Sequence, residues 1–191
     1  MIRRIILFLA AFHCAGAVEL HIQFGALERM LTEQVFSQEG RRYVHGSKTD
    51  KCNFAYLEKP QVRGQGGLLL IKAHFSGRSA LNFAGQCVGL GDAFDVMITA
   101  LPLYKNGALG LQQVKVISAG KTGYYIRKVC EAMQASLTRD FAYPLQSESH
   151  KMLEANAQPG YKREVRKFTV PDIRVSSDAL VLQVDFELTV K

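Results

Sequence analysis

The last strand-like stretch of this chain constrains the fold more than any other feature. Apolar residues recur at every second position from Leu180 to Val190, and Gln183, Asp185 and Glu187 fall between them. Successive side chains of a β-strand point to opposite faces of a sheet, so the pattern predicts a strand with one buried and one wet face. Strands of this kind are typical of antiparallel sheets that cover a core on one side.

Residues 42–118 contain further strand-like segments with little helical periodicity. Asn106-Gly107 is the clearest turn signal, because both residues tolerate positive φ and suit a type I′ turn that joins residues 94–104 to 109–118. Gly77 and Gly85, inside strand-like segments, predict bulges or bends that curve the sheet.

Two amphipathic helices interrupt the strands. A strand over 18–24 leads into a helix of about fifteen residues, with Gly25 as N-cap, Glu28 facing the positive end of the helix dipole and Gly40 as the stop. Lys121-Thr122-Gly123 opens a second helix that Pro144 ends. The predicted fold is therefore α+β, a curved antiparallel sheet wrapped around two amphipathic helices.

The first seventeen residues resemble a leader in composition. Arg3 and Arg4 precede an apolar stretch over 5–12, and Ala15-Gly16-Ala17 supplies small residues. This order predicts a signal peptide over 1–17, cleaved after Ala17, and a single α+β domain over 18–191 that is periplasmic or secreted. A buried N-terminal segment is the alternative. Phe12 and His13 depart from a lipobox, so we treat Cys14 as part of the discarded peptide, and whether it is ever lipidated stays open.

Three cysteines remain after cleavage. Cys52 and Cys87 lie in strand-like segments, whereas Cys130 lies on the apolar face of the second helix. We predict a Cys52–Cys87 disulfide, with Cys130 acting as a small core residue; the alternative is that all three are reduced.

Composition narrows the classes of partner. The chain has 191 residues and is 48% hydrophobic and 21% charged, which fits one globular domain and excludes a disordered chain or a polytopic membrane protein. Without Arg3 and Arg4, 22 basic residues face 17 acidic ones, a net charge of +5. The basic run 162–167 contains no aromatic platform, so we expect no nucleic acid. A lipid or an anionic envelope component is the expected partner, with peripheral membrane contact, and the oligomeric state is open.

No catalytic, cofactor or metal motif is present in the sequence. The histidines lack metal-ligand spacing, and the glycine-rich run 85–92 lacks the helix and lysine of a phosphate loop. A Cys87–His74 nucleophile pair is conceivable, but no third residue orients it. We therefore expect no enzyme, no cofactor and no metal; a hydrolase or isomerase would need a buried His and Asp side by side.

The order of these elements resembles the tubular lipid-binding superfamily, which includes bactericidal/permeability-increasing-type proteins and small bacterial periplasmic members. The stretches that carry the resemblance are 18–36, 68–118 with its Phe75-Ser76-Gly77-Arg78 bend, and 168–191. The absent lipobox departs from envelope lipoproteins of this kind.

The resemblance implies a non-enzymatic module of the cell envelope that holds acyl chains in an apolar groove between sheet and helices. Residues already on apolar faces would line this groove, and each could instead be ordinary core: Leu27, Leu31, Val35, Ile126, Val129, Met133, Leu137, Leu182, Val184 and Phe186. The alternative is a secreted protein-interaction or inhibitor module with a packed, cystatin-like helix-on-sheet fold, which would act through loops at 59–61 or 100–102.

Overall fold

A computed structural model of the protein describes residues 18–155 and 162–191, and the predicted signal peptide with Cys14 lies outside these ranges. The described residues form β1 (Val18–Gln23), α1 (Phe24–Met30), a π-helical turn (Leu31–Val35), β2 (Arg41–His45), β3 (Asn53–Gln65), β4 (Leu68–Phe83), β5 (Gln86–Lys105), β6 (Ala108–Ser118), α2 (Tyr124–Asp140), β7 (Ala142–Tyr143), α3 (Leu145–Ala155), β8 (Arg163–Val175) and β9 (Ala179–Val190).

The strands form two antiparallel sheets. Six strands follow the order β2-β3-β4-β5-β6-β7, and three follow the order β1-β9-β8. The strand arrangement is strongly curled, like a half-barrel, and three short helices accompany it. The fold is therefore α+β and dominated by antiparallel sheet. No helix within 18–155 and 162–191 is long and apolar enough to span a bilayer.

The first helix is shorter than the sequence predicts and starts differently. Gln23 is the N-cap and Gly25 lies inside the helix, so the prediction of Gly25 as N-cap is wrong. The helix begins at Phe24 and the π-helical turn ends at Val35, five residues before Gly40. Glu28 does not face the helix dipole. Its carboxylate accepts a hydrogen bond from the Val62 N–H at 2.6 Å, which ties α1 to β3.

The second helix has a buried face against the sheet. Ile126, Cys130, Met133 and Leu137 are buried at helical spacing. The helix ends at Asp140, because Phe141 is already extended and a short strand precedes Pro144. Cys130 is a buried free thiol, and removal from water raises the pKa of this thiol.

Gly77 and Gly85 occupy positions in the β4–β5 hairpin that differ from those predicted. Gly85 forms a two-residue turn with Ala84, both at positive φ, between Phe83 and Gln86. Gly77 lies in regular register, and a Cβ there would come within 2.6 Å of the Phe75 ring. Neither position is therefore a bulge, although the sheet is strongly curled, and residues 86–92 belong to β5. The Asn106-Gly107 turn is confirmed, with both residues at positive φ.

The Cys52–Cys87 disulfide is present and joins the residue before β3 to β5, with the Cα atoms 5.2 Å apart. A disulfide of this kind is compatible with a location outside the cytoplasm. The segments 59–61 and 100–102 are not loops, because they lie inside β3 and β5. They therefore offer no loop surface of the kind that an inhibitor would use.

Candidate functional site

The first half of α2 lies between two pockets. The pocket on its β2–β4 side, which we call the inner pocket, has a volume of about 220 Å³. The pocket on its β6 side, which we call the outer pocket, has a volume of about 480 Å³. Ligand pockets for small molecules typically have volumes of roughly 300–1,000 Å³, so the outer pocket falls within that range and the inner pocket below it.

The inner pocket has an apolar wall and a polar mouth. Its apolar side chains come from β2, β3, β4 and α2, and they include Val44, Ala55, Phe75, Val129 and Met133. His45, Asn53 and Ser79 supply polar groups, whereas the Arg78 guanidinium lies on the other face of β4, beside Gly91. The Phe75 ring packs on Phe94 at 4.9 Å between centroids, so one wall of the pocket is fixed by the aromatic core.

The outer pocket combines aliphatic side chains with two cations. Ile117 and Ile126 lie on its apolar part together with the Cys130 side chain, and Lys121 and Arg127 lie on its polar part. Ile117 is one of the exposed large apolar residues of the protein. Lys121 is paired with Asp92, and Arg127 lies 3.8 Å from the Glu131 carboxylate, so the arrangement gives an apolar surface bordered by ion pairs.

The basic residues at the start of α2 are held in place by contacts. Lys121 donates a hydrogen bond to the Asp92 carboxylate, which is the main reason that the pKa of Asp92 lies below its ordinary value. Lys128 binds Glu131 at 2.7 Å and lowers the pKa of Glu131. Arg127 lies 5.3 Å from the centroid of the Tyr124 ring, a distance at which cation–π attraction acts.

The interior near α1 is almost filled. A cavity of about 20 Å³ is lined by side chains of α1's π-helical extension, the six-stranded sheet and α2: Leu31, Val35, Phe36, Arg42, Leu57, Ile71, Ile98, Leu111, Leu137 and Phe141. This volume matches roughly one water molecule, so an acyl chain has no room there without movement of the core.

The predicted groove residues are distributed between the pockets and the core. Val129 and Met133 lie on the inner pocket and Ile126 on the outer pocket. Three line the small cavity, namely Leu31, Val35 and Leu137. Four belong to the core away from these three spaces: Leu27, Leu182 and Val184 are buried, and Phe186 is half-buried against them. Contact of any of the ten with a ligand stays a prediction.

Sequence reasoning did not select all the residues on the inner pocket. Phe54 and Arg78, on the sheet, and Tyr125, on α2, were not among the predicted groove residues. Phe54 lies in the strand-like segment 52–57 and Arg78 in the quoted Phe75–Arg78 bend, so both had a local signal. That signal places them on strands but does not say which face meets α2.

A polar cluster lies on the six-stranded sheet away from α2. The Asp95 carboxylate binds His74 Nδ1 and Lys72 Nζ, each at 2.9 Å, and these two contacts lower the pKa of Asp95. The three side chains share a pocket of about 240 Å³ with Lys59 and Gln61. All three are partly exposed, unlike the buried His–Asp pair that a hydrolase site would need.

The conceivable Cys87–His74 nucleophile pair is wrong, because Cys87 is consumed in the disulfide. None of the residues on the Asp95 pocket carries a hydroxyl or thiol. Within residues 18–155 and 162–191, no group of three or more His, Cys, Asp or Glu side chains is placed to hold a metal ion.

Comparison with known proteins gives little guidance. No protein-family model matches the chain, and no curated protein matches it. Among solved structures, the chain is similar to a crystal structure of lipopolysaccharide binding protein, with 10% sequence identity and a TM-score of 0.31. The match covers 92% of this chain and 51% of the other, so the chain spans about half the length of that structure. A likeness at this level carries no argument about function.

Proposed function

We propose that this protein is a secreted or periplasmic, non-enzymatic lipid-binding module of the cell envelope. In this proposal the acyl chain lies in the inner and outer pockets on either side of α2, and the head group meets Lys121 or Arg127. The single observation that carries the proposal is the pair of pockets with apolar side chains along one half of α2, the outer of which also carries Lys121 and Arg127.

The energetics favour a ligand with methylene groups. Each buried CH₂ contributes about 0.8 kcal/mol, and the side chains of Val44, Phe75 and Val129 offer apolar contacts without a hydrogen-bonding group that an acyl chain would leave unpaired. Anionic head groups would gain from positive charge, because the chain without the predicted signal peptide carries a net charge of +5.

One observation favours the alternative function, a protein-interaction or inhibitor module. The interior near α1 is almost filled, as a packed helix-on-sheet fold requires. That alternative needs no ligand in the inner pocket, so a ligand test separates the two.

The test uses the full chain expressed in a bacterial host and measured by native mass spectrometry. We expect a co-purifying lipid in the wild type and its loss in Ala132→Trp, because Ala132 lines the inner pocket and the indole would occupy it. Ala135→Trp is the matched control, since Ala135 is an exposed residue of the same helix and does not line the inner pocket. A wild type without lipid, or equal lipid in both variants, would contradict the proposal.

A further inference from the structure

The β4–β5 hairpin extends beyond its neighbouring strands. β3 pairs with β4 only as far as Asn53 opposite Ser79, and β6 pairs with β5 only as far as Ser118 opposite Val96. In the part of the chain that the structure describes, residues 80–91 therefore form a two-stranded projection, which we call the finger.

One face of the finger is apolar and exposed. Leu81 lies directly opposite Val88, and Ser79 lies opposite Leu90, so alternate positions place Leu81, Phe83, Val88 and Leu90 on the same face. The exposed fractions are 79% for Leu81, 75% for Phe83, 62% for Val88 and 66% for Leu90. A contiguous apolar face of this kind marks a protein or membrane interaction site.

The finger is braced rather than loose. Cys87 alternates with Val88, so it belongs to the opposite face, where it forms the disulfide with Cys52. The Ala80 N–H also donates a hydrogen bond to the Cys52 carbonyl at 2.9 Å. The disulfide on the opposite face and the backbone hydrogen bond from Ala80 therefore fix the position of the finger, and its apolar face is exposed to solvent.

The charge around the finger indicates the kind of partner. The sequence contains no acidic residue between Glu58 and Asp92, and the Asp92 carboxylate is bound by Lys121. Arg78 lies at the base of the finger, with its Nε 3.4 Å from the position that a Cβ on Gly91 would take. Arg78 lies on the face opposite to Leu81 and Leu90, so a finger that inserts from its tip would bring this cation to the level of anionic head groups.

A second copy of the chain fits this surface less well. The finger of a second copy would bring Arg78 no opposite charge, because residues 59–91 contain no Asp or Glu. An anionic bilayer brings the opposite charge to Arg78 and an apolar layer to Phe83. The charge therefore favours the bilayer as occupant.

We infer that the finger inserts its tip, with the apolar side chains of Leu81, Phe83, Val88 and Leu90, into the surface of an anionic phospholipid bilayer, with Arg78 at its base on the head groups. The inference rests on the proposed function in one respect, since a lipid-binding module must reach its lipid source. Arg78 belongs both to the base of the finger and to the inner pocket, so docking in this way would place the pocket at the bilayer surface.

The first experiment measures co-sedimentation of the full chain with vesicles of phosphatidylcholine and phosphatidylglycerol. The double variant Leu81→Gln, Phe83→Gln should weaken binding by about 10-fold or more, because two apolar side chains leave the bilayer. Leu188→Gln, Val190→Gln is the matched control, because these β9 residues are also exposed, at 41% and 55%, but lie outside the finger; it should bind like the wild type. Vesicle binding unchanged by the finger substitutions would overturn the inference.

A second experiment uses the absence of Trp from the chain. Phe83→Trp should show fluorescence quenched by vesicle lipids brominated on their acyl chains, and Val190→Trp should not. Unquenched Phe83→Trp would count against insertion. A wild type that ignores vesicles but forms a dimer that the finger substitutions dissociate would also overturn the inference, in favour of a second copy. Lipid retention in native mass spectra is a separate readout, so vesicle binding and the proposed function can fail independently.

Discussion

The two ends of this molecule differ in how completely their apolar side chains are buried. At the far end, formed by α1, the β3–β4 turn at 66–67 and the β8–β9 turn at 176–178, the chain packs closely. A Cβ on Gly64 would lie 2.0 Å from the Ser176 carbonyl oxygen. At the finger end, formed by the finger, residues 119–123 and the first half of α2, two pockets remain and apolar side chains face water.

This difference suggests that one end mainly stabilises the fold and that the other end mainly binds ligands. The far end buries its apolar surface within the chain, so it stabilises the fold. The finger end leaves apolar surface uncovered on both the pockets and the finger, which costs stability unless something else covers it. A lipid and a bilayer would cover this surface, and substitutions at the two ends should therefore have different consequences.

The largest effect on stability should come from the far end's sheet. Leu182 is fully buried in β9, and Leu182→Ala should lower the free energy of unfolding by about 3–5 kcal/mol, measured by urea denaturation, because it leaves a cavity. Lipid binding should persist in the folded fraction.

Val129 is half-buried beside the inner pocket. Val129→Ala should lower the free energy of unfolding by only about 1 kcal/mol but weaken lipid retention. Equal losses of stability in Leu182→Ala and Val129→Ala would contradict the proposed difference between the two ends.

Loss of the disulfide should act next most strongly, and mainly at the finger end. Cys52 and Cys87 are 35 residues apart, and the chain-entropy relation gives a stabilisation of about 3–4 kcal/mol for such a loop. In the Cys52→Ala, Cys87→Ala variant, amide hydrogen exchange should accelerate in the finger more than in α1. Uniform acceleration along the chain would contradict a local brace.

Alanine substitutions of one glycine at each end should change the free energy of unfolding by smaller amounts and in opposite directions. A Cβ on Gly89 would lie 2.4 Å from the Ser79 carbonyl oxygen, so Gly89→Ala should force the finger strands apart and cost about 1–3 kcal/mol. Gly25 lies inside α1 with no atom within 4 Å of the added Cβ, and Gly25→Ala should stabilise by roughly 0.5–1 kcal/mol. Thermal unfolding measures whether each substitution raises or lowers stability. A change in the same direction for both variants would contradict the packing described.

The smallest effect concerns pH at the pocket mouth. Lys121 holds the pKa of Asp92 below its ordinary value, so this contact stabilises the folded chain above the unfolded pKa, roughly 4. The contribution is lost as pH falls through the lowered folded pKa. An NMR titration of the Asp92 carboxyl carbon should show a depressed midpoint that returns toward the ordinary value in Lys121→Gln. An unchanged midpoint in that variant would remove Lys121 as the cause.

Local signals in the sequence predicted much of this fold. The alternation from Leu180 onward predicted β9, the Asn106-Gly107 pair predicted a turn with two positive φ angles, and the apolar stripe predicted α2. Each of these features depends on residues close together in the chain, so its signal can be recognised without tertiary information.

Other features depend on distant contacts and were missed. Ala84 at positive φ is unfavourable for a residue with a Cβ, so the sequence pointed to the neighbouring glycines instead of the turn that the strand pairing imposes. Glu28 binds the Val62 N–H of β3, a contact between residues 34 positions apart that has no local signal in the sequence. For the site, the α2 residues followed from helical spacing, whereas Phe54 and Arg78 required the register between β3, β4 and α2.

Amide hydrogen exchange with and without lysophosphatidylglycerol tests the central claim most directly, because it compares both ends of the full chain in one experiment. If the lipid lies beside α2, protection should increase in the first half of α2 and in the β3 residues 53–55, and should not change in α1 or β9. Protection confined to α1 and β9, or no protection anywhere, would contradict the account.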